Sequence, residues 1–339
     1  MNAIYIDMGT TNTRVWLMRG DEVLARASKL VGVRDTARTG SRATIDTALK
    51  VMIADVRNQV PTFQGRCVTA AGMISSQLGL KELPYVPAPA GIREISRASR
   101  WFEFPEITDL PILLVPGVRC GPETVDLDSI NELDVMRGEE TLCVGIITLR
   151  FVKPPCVVLN LGSHWKAIQI NADEKIQASH TSLSGELLHA VQMHTVLASS
   201  LPKNAPAEVT QRWLEAGMDE QRRSGLSRAM FCVRLLELAG EGTSDERFSF
   251  LLGGLISSDL DALVDRGVVR EDSQITICGN PAIADAWQRL LRGNSISSHV
   301  LGSGEIERAF LSGLRFILQE APEFGARTTT THEKQNVAN

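Results

Sequence analysis

Residues 4–16 (IYIDMGTTNTRVW) and residues 156–170 (CVVLNLGSHWKAIQI) carry the same pattern. In each copy an apolar run ends in Asp7 or Asn160, x-Gly-(Thr/Ser) follows, and a second alternating run completes the unit. Glycine permits a tight turn that approaches a ligand closely, and hydroxyls with successive backbone N–H groups cradle phosphate oxygens. The repeat predicts two related α/β units, each led by a β-hairpin, with a nucleotide held between them.

The first turn carries the candidate metal ligand. Gly9, Thr10 and Thr11 form the predicted phosphate loop. The Asp7 carboxylate is suited to holding Mg²⁺ through water, since Mg²⁺ keeps several waters and pairs with phosphate. Asp is also an ordinary turn residue, so D-x-G-T alone is a weak signal. The matching second hairpin favours the functional interpretation.

The second turn differs from the first in its charge. Gly162, Ser163 and His164 are predicted to contact the nucleotide. Asn160 stands where Asp7 stands but supplies no charge, so metal binding is expected at Asp7 alone. Two interpretations of His164 stay open: a phosphate donor, or a surface histidine in a turn.

A third motif, residues 136–141 (MRGEET), opens an apolar helix. Phosphoryl transfer to a hydroxyl needs a carboxylate that orients the acceptor and takes its proton. Glu139 is the candidate base, with Glu140 and Asp134 as alternatives. Acidic residues also stabilise a first helical turn without any chemistry. Arg137 adds weight to the functional interpretation, because arginine binds carboxylates through two hydrogen bonds.

A glycine near the C-terminal end is the candidate adenine contact. Gly279 lies between an apolar run and the proline that begins a predicted helix. A glycine there allows a flat ligand to come close. A plain strand-to-helix turn would look the same, so the sequence leaves both interpretations open.

Composition restricts the class of protein. The 339 residues suggest two domains, and the hydrophobic share of 43% with a charged share of 22% is typical of a soluble globular protein. A net charge of −5 gives no reason to expect nucleic acid as a partner. The six cysteines form no C-x-x-C pair and indicate free thiols in a reducing compartment. With no leader and no apolar stretch long enough for a membrane, the expected location is cytoplasmic.

The pattern of elements predicts two halves that meet at Lys153-Pro154-Pro155. The predicted domains are residues 1–152 and 153–320, followed by a disordered tail over 321–339. The predicted strands are 3–7, 13–18, 23–28, 66–73, 111–118, 156–162, 165–171, 175–180, 273–279 and 296–301. The predicted helices are 44–60, one that opens at 139, 184–200, 208–216, 226–240, 247–266, 281–292 and 304–319.

These motifs together resemble the 2-dehydro-3-deoxygalactonokinase family. The resemblance covers roughly residues 3–318, and DVMRGEET (134–141) is its most specific part. It places the chain in the superfamily of acetate and sugar kinases, heat-shock chaperones and actin. It implies an α/β fold with two ribonuclease-H-like domains hinged around a nucleotide cleft. The implied reaction is the ATP- and Mg²⁺-dependent phosphorylation of the 6-hydroxyl of 2-dehydro-3-deoxy-D-galactonate.

The resemblance also suggests roles for individual residues. Asn12, Arg14 and Arg137 would contact the substrate or the transferred phosphate, and Glu139 would be the base. Met8 departs from the usual tryptophan of the family, and two further departures lie at 161–166 (LGSHWK) and 278–280 (CGN). The glycines, the hydroxyl and His164 are kept, so the departures bear on the identity of the sugar acid. Two alternatives remain: a kinase for another 2-keto-3-deoxy sugar acid, and a non-catalytic sensor. The chain is also a possible homo-oligomer.

Overall fold

The computed structural model describes residues 2–325, which fold into three β-sheets with flanking helices. The strands are β1 (Asn2–Met8), β2 (Thr13–Arg19), β3 (Glu22–Lys29), β4 (Val68–Gly72), β5 (Val86–Pro87), β6 (Arg100–Phe102), β7 (Ile112–Leu114), β8 (Val118–Cys120), β9 (Asp134–Met136), β10 (Cys156–Leu161), β11 (Trp165–Ile170), β12 (Ile176–Ser182), β13 (Ile275–Gly279) and β14 (Ser298–Val300). The α-helices are α1 (Val33–Thr39), α2 (Ala43–Gln59), α3 (Ile92–Ala98), α4 (Glu139–Thr148), α5 (Ser184–His194), α6 (Gln211–Ser224), α7 (Leu226–Leu238), α8 (Ser244–Asp265), α9 (Pro281–Gly293) and α10 (Ser303–Glu320).

The two large sheets share a topology over five strands, and the first has a sixth strand, β6, that pairs antiparallel with β7. The first has the order β3-β2-β1-β4-β7-β6, and the second has the order β12-β11-β10-β13-β14. In each, three antiparallel strands from one hairpin meander lie beside parallel strands that follow later in the chain. The small third sheet has the order β5-β8-β9. The predicted α/β fold of two ribonuclease-H-like units is therefore confirmed.

Helices α4 and α10 pack closely against each other at two glycines. A Cβ atom on Gly145 would lie 1.7 Å from the Ala309 carbonyl oxygen, and one on Gly313 would lie 2.0 Å from the Thr141 carbonyl oxygen. No larger side chain fits there without moving the backbone, so the helix axes approach as near as backbone contact allows. Both helices contribute to a core that also takes in residues of both large sheets. The division at residues 152 and 153 stays a prediction.

Several predicted boundaries need correction. Helix α2 begins at Ala43, with Arg42 in the capping position. The sequence prediction did not include α1 or α3, and it treated the helix over 184–200 as continuous, whereas α5 ends at His194. In the described part of the predicted tail, the Pro322 carbonyl accepts a hydrogen bond from the Trp101 indole at 2.7 Å. Residues 321–325 are thus placed against the fold, and residues 326–339 lie outside the described residues.

The composition led to predictions about the cysteines and about membrane-spanning segments. All six cysteines are free, and five of them are buried. Burial raises the pKa of the Cys156 thiol to about 11, as expected for an inert thiol in an apolar core. Among residues 2–325, no helix is long and apolar enough to span a membrane.

Candidate active site

The first hairpin turn is closed by backbone hydrogen bonds that leave its outer N–H groups free. The Gly9 N–H donates to the Asn12 carbonyl at 2.8 Å. The Thr10 carbonyl accepts from the Arg34 N–H at 3.0 Å, at the start of α1. The N–H groups of Thr10 and Thr11 make no hydrogen bond to any residue in 2–325. The turn therefore presents two backbone donors, the arrangement expected of a phosphate loop.

Asp7 and Arg14 face each other in register across β1 and β2. The Asp7 Oδ2 atom accepts hydrogen bonds from Arg14 Nε, at 3.2 Å, and from Nη2. Burial raises the pKa of the Asp7 carboxyl above its usual range, and the neighbouring guanidinium opposes that effect. The predicted metal ligand is thus a largely buried carboxylate paired with one of the predicted substrate contacts.

The second hairpin turn is backed by a helix start in the same way. A Cβ atom on Gly185 in α5 would lie 2.3 Å from the Gly162 carbonyl oxygen, so the helix sits directly on the turn. The His164 Nε2 atom lies 3.8 Å from Glu186 Oε1, and Arg34 Nη2 lies 3.8 Å from the same oxygen. Glu186 therefore connects the second turn to the segment that backs the first turn.

Lys166 and Asp134 belong to a buried polar cluster between β9, β11 and β12. The Lys166 ammonium donates to the Val135 carbonyl at 2.8 Å and to the Thr181 hydroxyl, and it lies 4.0 Å from Asp134 Oδ2. Asp134 also accepts hydrogen bonds from Ser179, at 2.6 Å, and from Thr181, at 2.8 Å. The Asp134 carboxylate is fully engaged within this cluster, which weakens its candidacy as the base.

Glu139 and Glu140 diverge at the start of α4. The Glu139 Oε2 atom accepts a hydrogen bond from the Arg137 N–H at 3.2 Å, and the side chain is half-buried. Glu140 is fully buried and accepts from the Gly138 N–H through both oxygens. Burial raises the pKa of Glu139, and the charge of Lys166 opposes that effect. One carboxylate therefore faces the open side of the helix, and the other folds back on the backbone.

The Arg137 side chain is held by backbone carbonyls. Its Nη1 and Nη2 atoms donate to the carbonyls of Ser75 and Leu83, each at 2.7 Å, and the guanidinium lies 4.0 Å from the Tyr85 ring centroid. The Nε atom is buried and has no partner among the described residues. Most of its donors are thus bonded to the protein, so Arg137 acts first as a fixed part of the wall.

A cavity of about 300 Å³ brings the key elements together. Six predicted site residues line it: Asp7, Gly9, Arg14, Arg137, Glu139 and Gly162. Asn160 and the apolar side chains Trp16, Leu142, Ile306 and Phe310 complete most of the wall. The contribution of α10 was not predicted, because a helix far along the chain carries no local motif that indicates a site. The cavity joins the candidate metal ligand, the candidate base and the second turn.

The other predicted site residues lie outside the cavity wall. Thr10, Thr11, Ser163 and His164 lie on the two turns. Asn12 accepts a hydrogen bond from the Ser28 hydroxyl at 3.2 Å. Gly279 ends β13, where a Cβ atom would lie 2.7 Å from Leu161 Cβ. Close packing against β10 explains that glycine, and the adenine contact stays a prediction.

Comparisons with known proteins identify the family. The model of the 2-keto-3-deoxy-galactonokinase family matches residues 7–317. The 2-dehydro-3-deoxygalactonokinase of Escherichia coli (strain K12) is 26% identical over 315 residues, which cover 93% of this chain and 96% of that protein. A Rhizobium meliloti (strain 1021) protein named as a probable 2-dehydro-3-deoxygalactonokinase, DgoK1, is 27% identical over 315 residues, which cover 91% and 94%.

A solved structure supports the same fold. The crystal structure of a candidate 2-dehydro-3-deoxygalactonokinase from Sinorhizobium meliloti superposes with a TM-score of 0.72 at 21% identity, covering 93% of this chain and 99% of that one. At this identity the likeness establishes the fold alone. The family model extends from Asp7 to Ile317 and so contains the first turn with β2, the whole second hairpin and the helix start at Glu139. The chain belongs to the 2-keto-3-deoxy-galactonokinase family.

Proposed function

We propose that the chain is a kinase that transfers the γ-phosphoryl group of ATP to the 6-hydroxyl of 2-dehydro-3-deoxy-D-galactonate. Family membership over residues 7–317 supports a sugar-acid kinase, and both curated relatives carry the name of that activity. The observation that carries the mechanism is the single cavity shared by Asp7, Glu139 and the Gly162 turn. The proposed phosphate loop and the proposed base both border this cavity, which supports phosphoryl transfer there.

Glu139 is the proposed base. Its carboxylate lines the cavity at the N-terminus of α4, where the helix dipole favours the anion. As the bond from the 6-oxygen to phosphorus forms and the bond to ADP breaks, Glu139 takes the hydroxyl proton. Burial raises the pKa of the Glu139 carboxyl and so makes it a stronger base, and the charge of Lys166 opposes that rise.

The two turns are the proposed phosphate contacts. The free N–H groups of Thr10 and Thr11 would contact the phosphate groups of ATP from one side. Gly162, Ser163 and His164 would contact them from the other side. Their backbone conformation is set by the helix starts that pack behind them, so little reorganisation is needed on binding. The adenine contact at Gly279 remains part of the proposal.

Asp7 is the proposed Mg²⁺ residue. Residues 2–325 contain no group of three or more acidic, histidine or cysteine side chains that could enclose a metal. A lone carboxylate fits Mg²⁺, because this ion keeps several waters and takes its other ligands from phosphates. When bound, Mg²⁺ would offset the charge that develops on the phosphate oxygens. Arg14 donates a hydrogen bond to the same carboxylate and so fixes its orientation at the edge of the cavity.

Arg14, Asn12 and the Nε atom of Arg137 are the proposed contacts for the sugar acid. Arginine suits a planar carboxylate because its donors are arranged in a fixed fork. The Arg14 side chain is 46% exposed beside the cavity, so it can reach a ligand with small rearrangement.

We also propose that the chain divides into two domains between residues 152 and 153, and that the protein is cytoplasmic.

The test is ADP release measured across 2-keto-3-deoxy sugar acids and simple aldoses. The proposal expects fast, saturable release with 2-dehydro-3-deoxy-D-galactonate and a phosphate at carbon 6 of the product. Faster release with a different 2-keto-3-deoxy acid would reassign the substrate. Release with aldoses alone would contradict the sugar-acid assignment, and binding without any release would indicate a sensor.

A further inference from the structure

Glu140, the neighbour of the proposed base, is turned away from the cavity. Its side chain is 0% exposed, and its two oxygens lie 2.9 and 2.7 Å from the Gly138 nitrogen. The Thr141 hydroxyl donates to the same carboxyl at 3.0 Å. Glu140 is absent from the cavity wall, whereas Glu139 forms part of it. Every hydrogen bond of the buried carboxyl among these therefore goes to residues at the start of its own helix.

The backbone that Glu140 holds has an unusual conformation. Gly138 has a φ of +112°, in the region that favours glycine. A Cβ atom at this position would lie 3.3 Å from Gly72 Cα, at the end of β4. Gly72 pairs with Met8, next to Asp7. The turn before α4 thus packs against the end of β4, the strand that pairs with β1 and its candidate metal ligand Asp7. The Gly138 N–H needs an acceptor to keep this orientation.

We propose that Glu140 is a positioning residue, which holds the Gly138 N–H and so fixes the place from which Glu139 faces the cavity. The inference rests on the proposed kinase function and deepens it. Position matters at this point, because a displacement of about 1 Å in a reacting group costs roughly 100-fold in rate. An acceptor buried behind the turn supplies that precision without contacting the substrate.

Electrostatics favour the neutral form of Glu140. Burial, followed by the charge of Glu139, raises the pKa of Glu140 to about 8. The charges of Lys166 from β11 and His164 from the second turn act on Glu139 in the opposite direction. A pKa of about 8 keeps Glu140 mainly protonated at neutral pH.

An ordinary capping role would give different behaviour. An acidic residue in the first turn of a helix stabilises the helix dipole and affects the free energy of unfolding. Such a residue has no reason to alter turnover or its pH profile once the protein is folded. The comparison of an amide and an apolar replacement separates the two roles, since only the amide keeps an oxygen for the Gly138 N–H.

The test compares Glu140→Gln and Glu140→Leu with the exposed control Glu103→Gln. For folded Glu140→Leu we expect kcat to fall about 100-fold with each KM within about threefold, and for Glu140→Gln a fall below about tenfold. Equal losses in the two variants, or wild-type kcat in Glu140→Leu, would overturn the inference.

A second measurement does not depend on turnover. The Gly138 amide signal, followed by NMR in protein labelled at glycine, should titrate with a midpoint near pH 8 and become flat in Glu140→Gln. A flat wild-type signal would overturn the inference, even where Glu140→Leu fails to fold. Wild-type protein that releases no ADP with any sugar acid would instead contradict the kinase proposal, so the two failures are distinguishable.

Discussion

The two hairpins share a backbone plan but differ in the charged pair at equivalent positions. In β1 and β2, Asp7 pairs in register with Arg14, and in β10 and β11, Asn160 pairs in register with Lys166. Arg14 is 46% exposed beside the cavity, whereas Lys166 is 4% exposed and bonds to β9 and β12. One pair lines the cavity, and the other joins elements of the fold. The proposed chemistry therefore uses the charged pair of the first hairpin only.

The features that the two hairpins share are those that shape the turns. Gly32 packs on the first turn, where a Cβ atom would lie 2.5 Å from the Gly9 carbonyl oxygen. Gly185 packs on the second turn in the same way. In both halves a helix start packs closely on the turn, whereas the Asp7–Arg14 pair occurs only in the first hairpin.

The largest expected effect comes from the acidic residues that begin the helices on each side. Glu139→Gln should lower kcat by about 10²–10⁴-fold while ATP binding survives, because a general base is lost. Glu186→Gln, the matched change in α5, should alter kcat by less than about threefold, since its pairs are half-exposed. ADP release and ATP titration measure both quantities. Unchanged turnover in Glu139→Gln would move the role to Glu140 or Asp134.

The two cations should differ in their contribution to stability. Lys166→Met removes a buried cation and leaves Asp134 without it, so the free energy of unfolding should fall by about 3–5 kcal/mol. Arg14→Met removes a cation that is 46% exposed but leaves the largely buried Asp7 carboxylate unpaired, so the loss should be smaller, about 1–2 kcal/mol. Urea denaturation of both variants gives the comparison. Equal losses would show that both pairs are structural.

The glycines behind the turns should give similar, smaller losses. Gly32→Ala and Gly185→Ala each place a Cβ atom within 2.5 Å of a carbonyl oxygen, so each should lose about 1–3 kcal/mol from backbone displacement. Gly293→Ala, which meets no atom within 4 Å, is the matched control and should retain wild-type stability or better. Thermal unfolding tests this. A neutral result at Gly32 or Gly185 would mean that the backing of that turn is loose.

The smallest expected effect is a pH dependence that only the first hairpin carries. Folding raises the pKa of Asp7 above its unfolded value near 3.8, so the folded state binds the proton more tightly. Its contribution to stability is therefore present below that value and is lost as pH rises. The stability of Asp7→Asn relative to wild type should increase from acid pH toward neutral pH. A relative stability that stays constant across this range would contradict the assignment of burial as the cause.

Local patterns predicted the hairpins and the start of α4, because apolar runs, glycines and helix-opening residues lie together in the sequence. Helix α1 was missed because residues 33–39 (VRDTART) bury little besides Val33 and so show no periodicity. The predicted start of the helix over 44–60 was one residue late, because α2 begins at Ala43. Boundaries of this kind depend on contacts that the sequence does not display.

Long-range contacts explain what the sequence could not predict about the site. Asp134 is bound by hydroxyls of β12, and the Arg137 side chain by carbonyls more than 50 residues earlier in the chain. Side chains from α10 line the cavity without any nearby motif. Residue types suggested hypotheses about the chemistry, but only the folded chain shows which groups are already bonded to protein partners.

The most direct test of the unequal hairpins exchanges their carboxylate. Mg²⁺-dependent ADP release should be compared for Asp7→Asn, Asn160→Asp and the double variant. Asp7→Asn should lower kcat by about 100-fold or more, Asn160→Asp should change it by less than about tenfold, and the double variant should stay as slow as Asp7→Asn. Recovery of wild-type turnover in the double variant would contradict the account, because it would show that either hairpin can carry the metal.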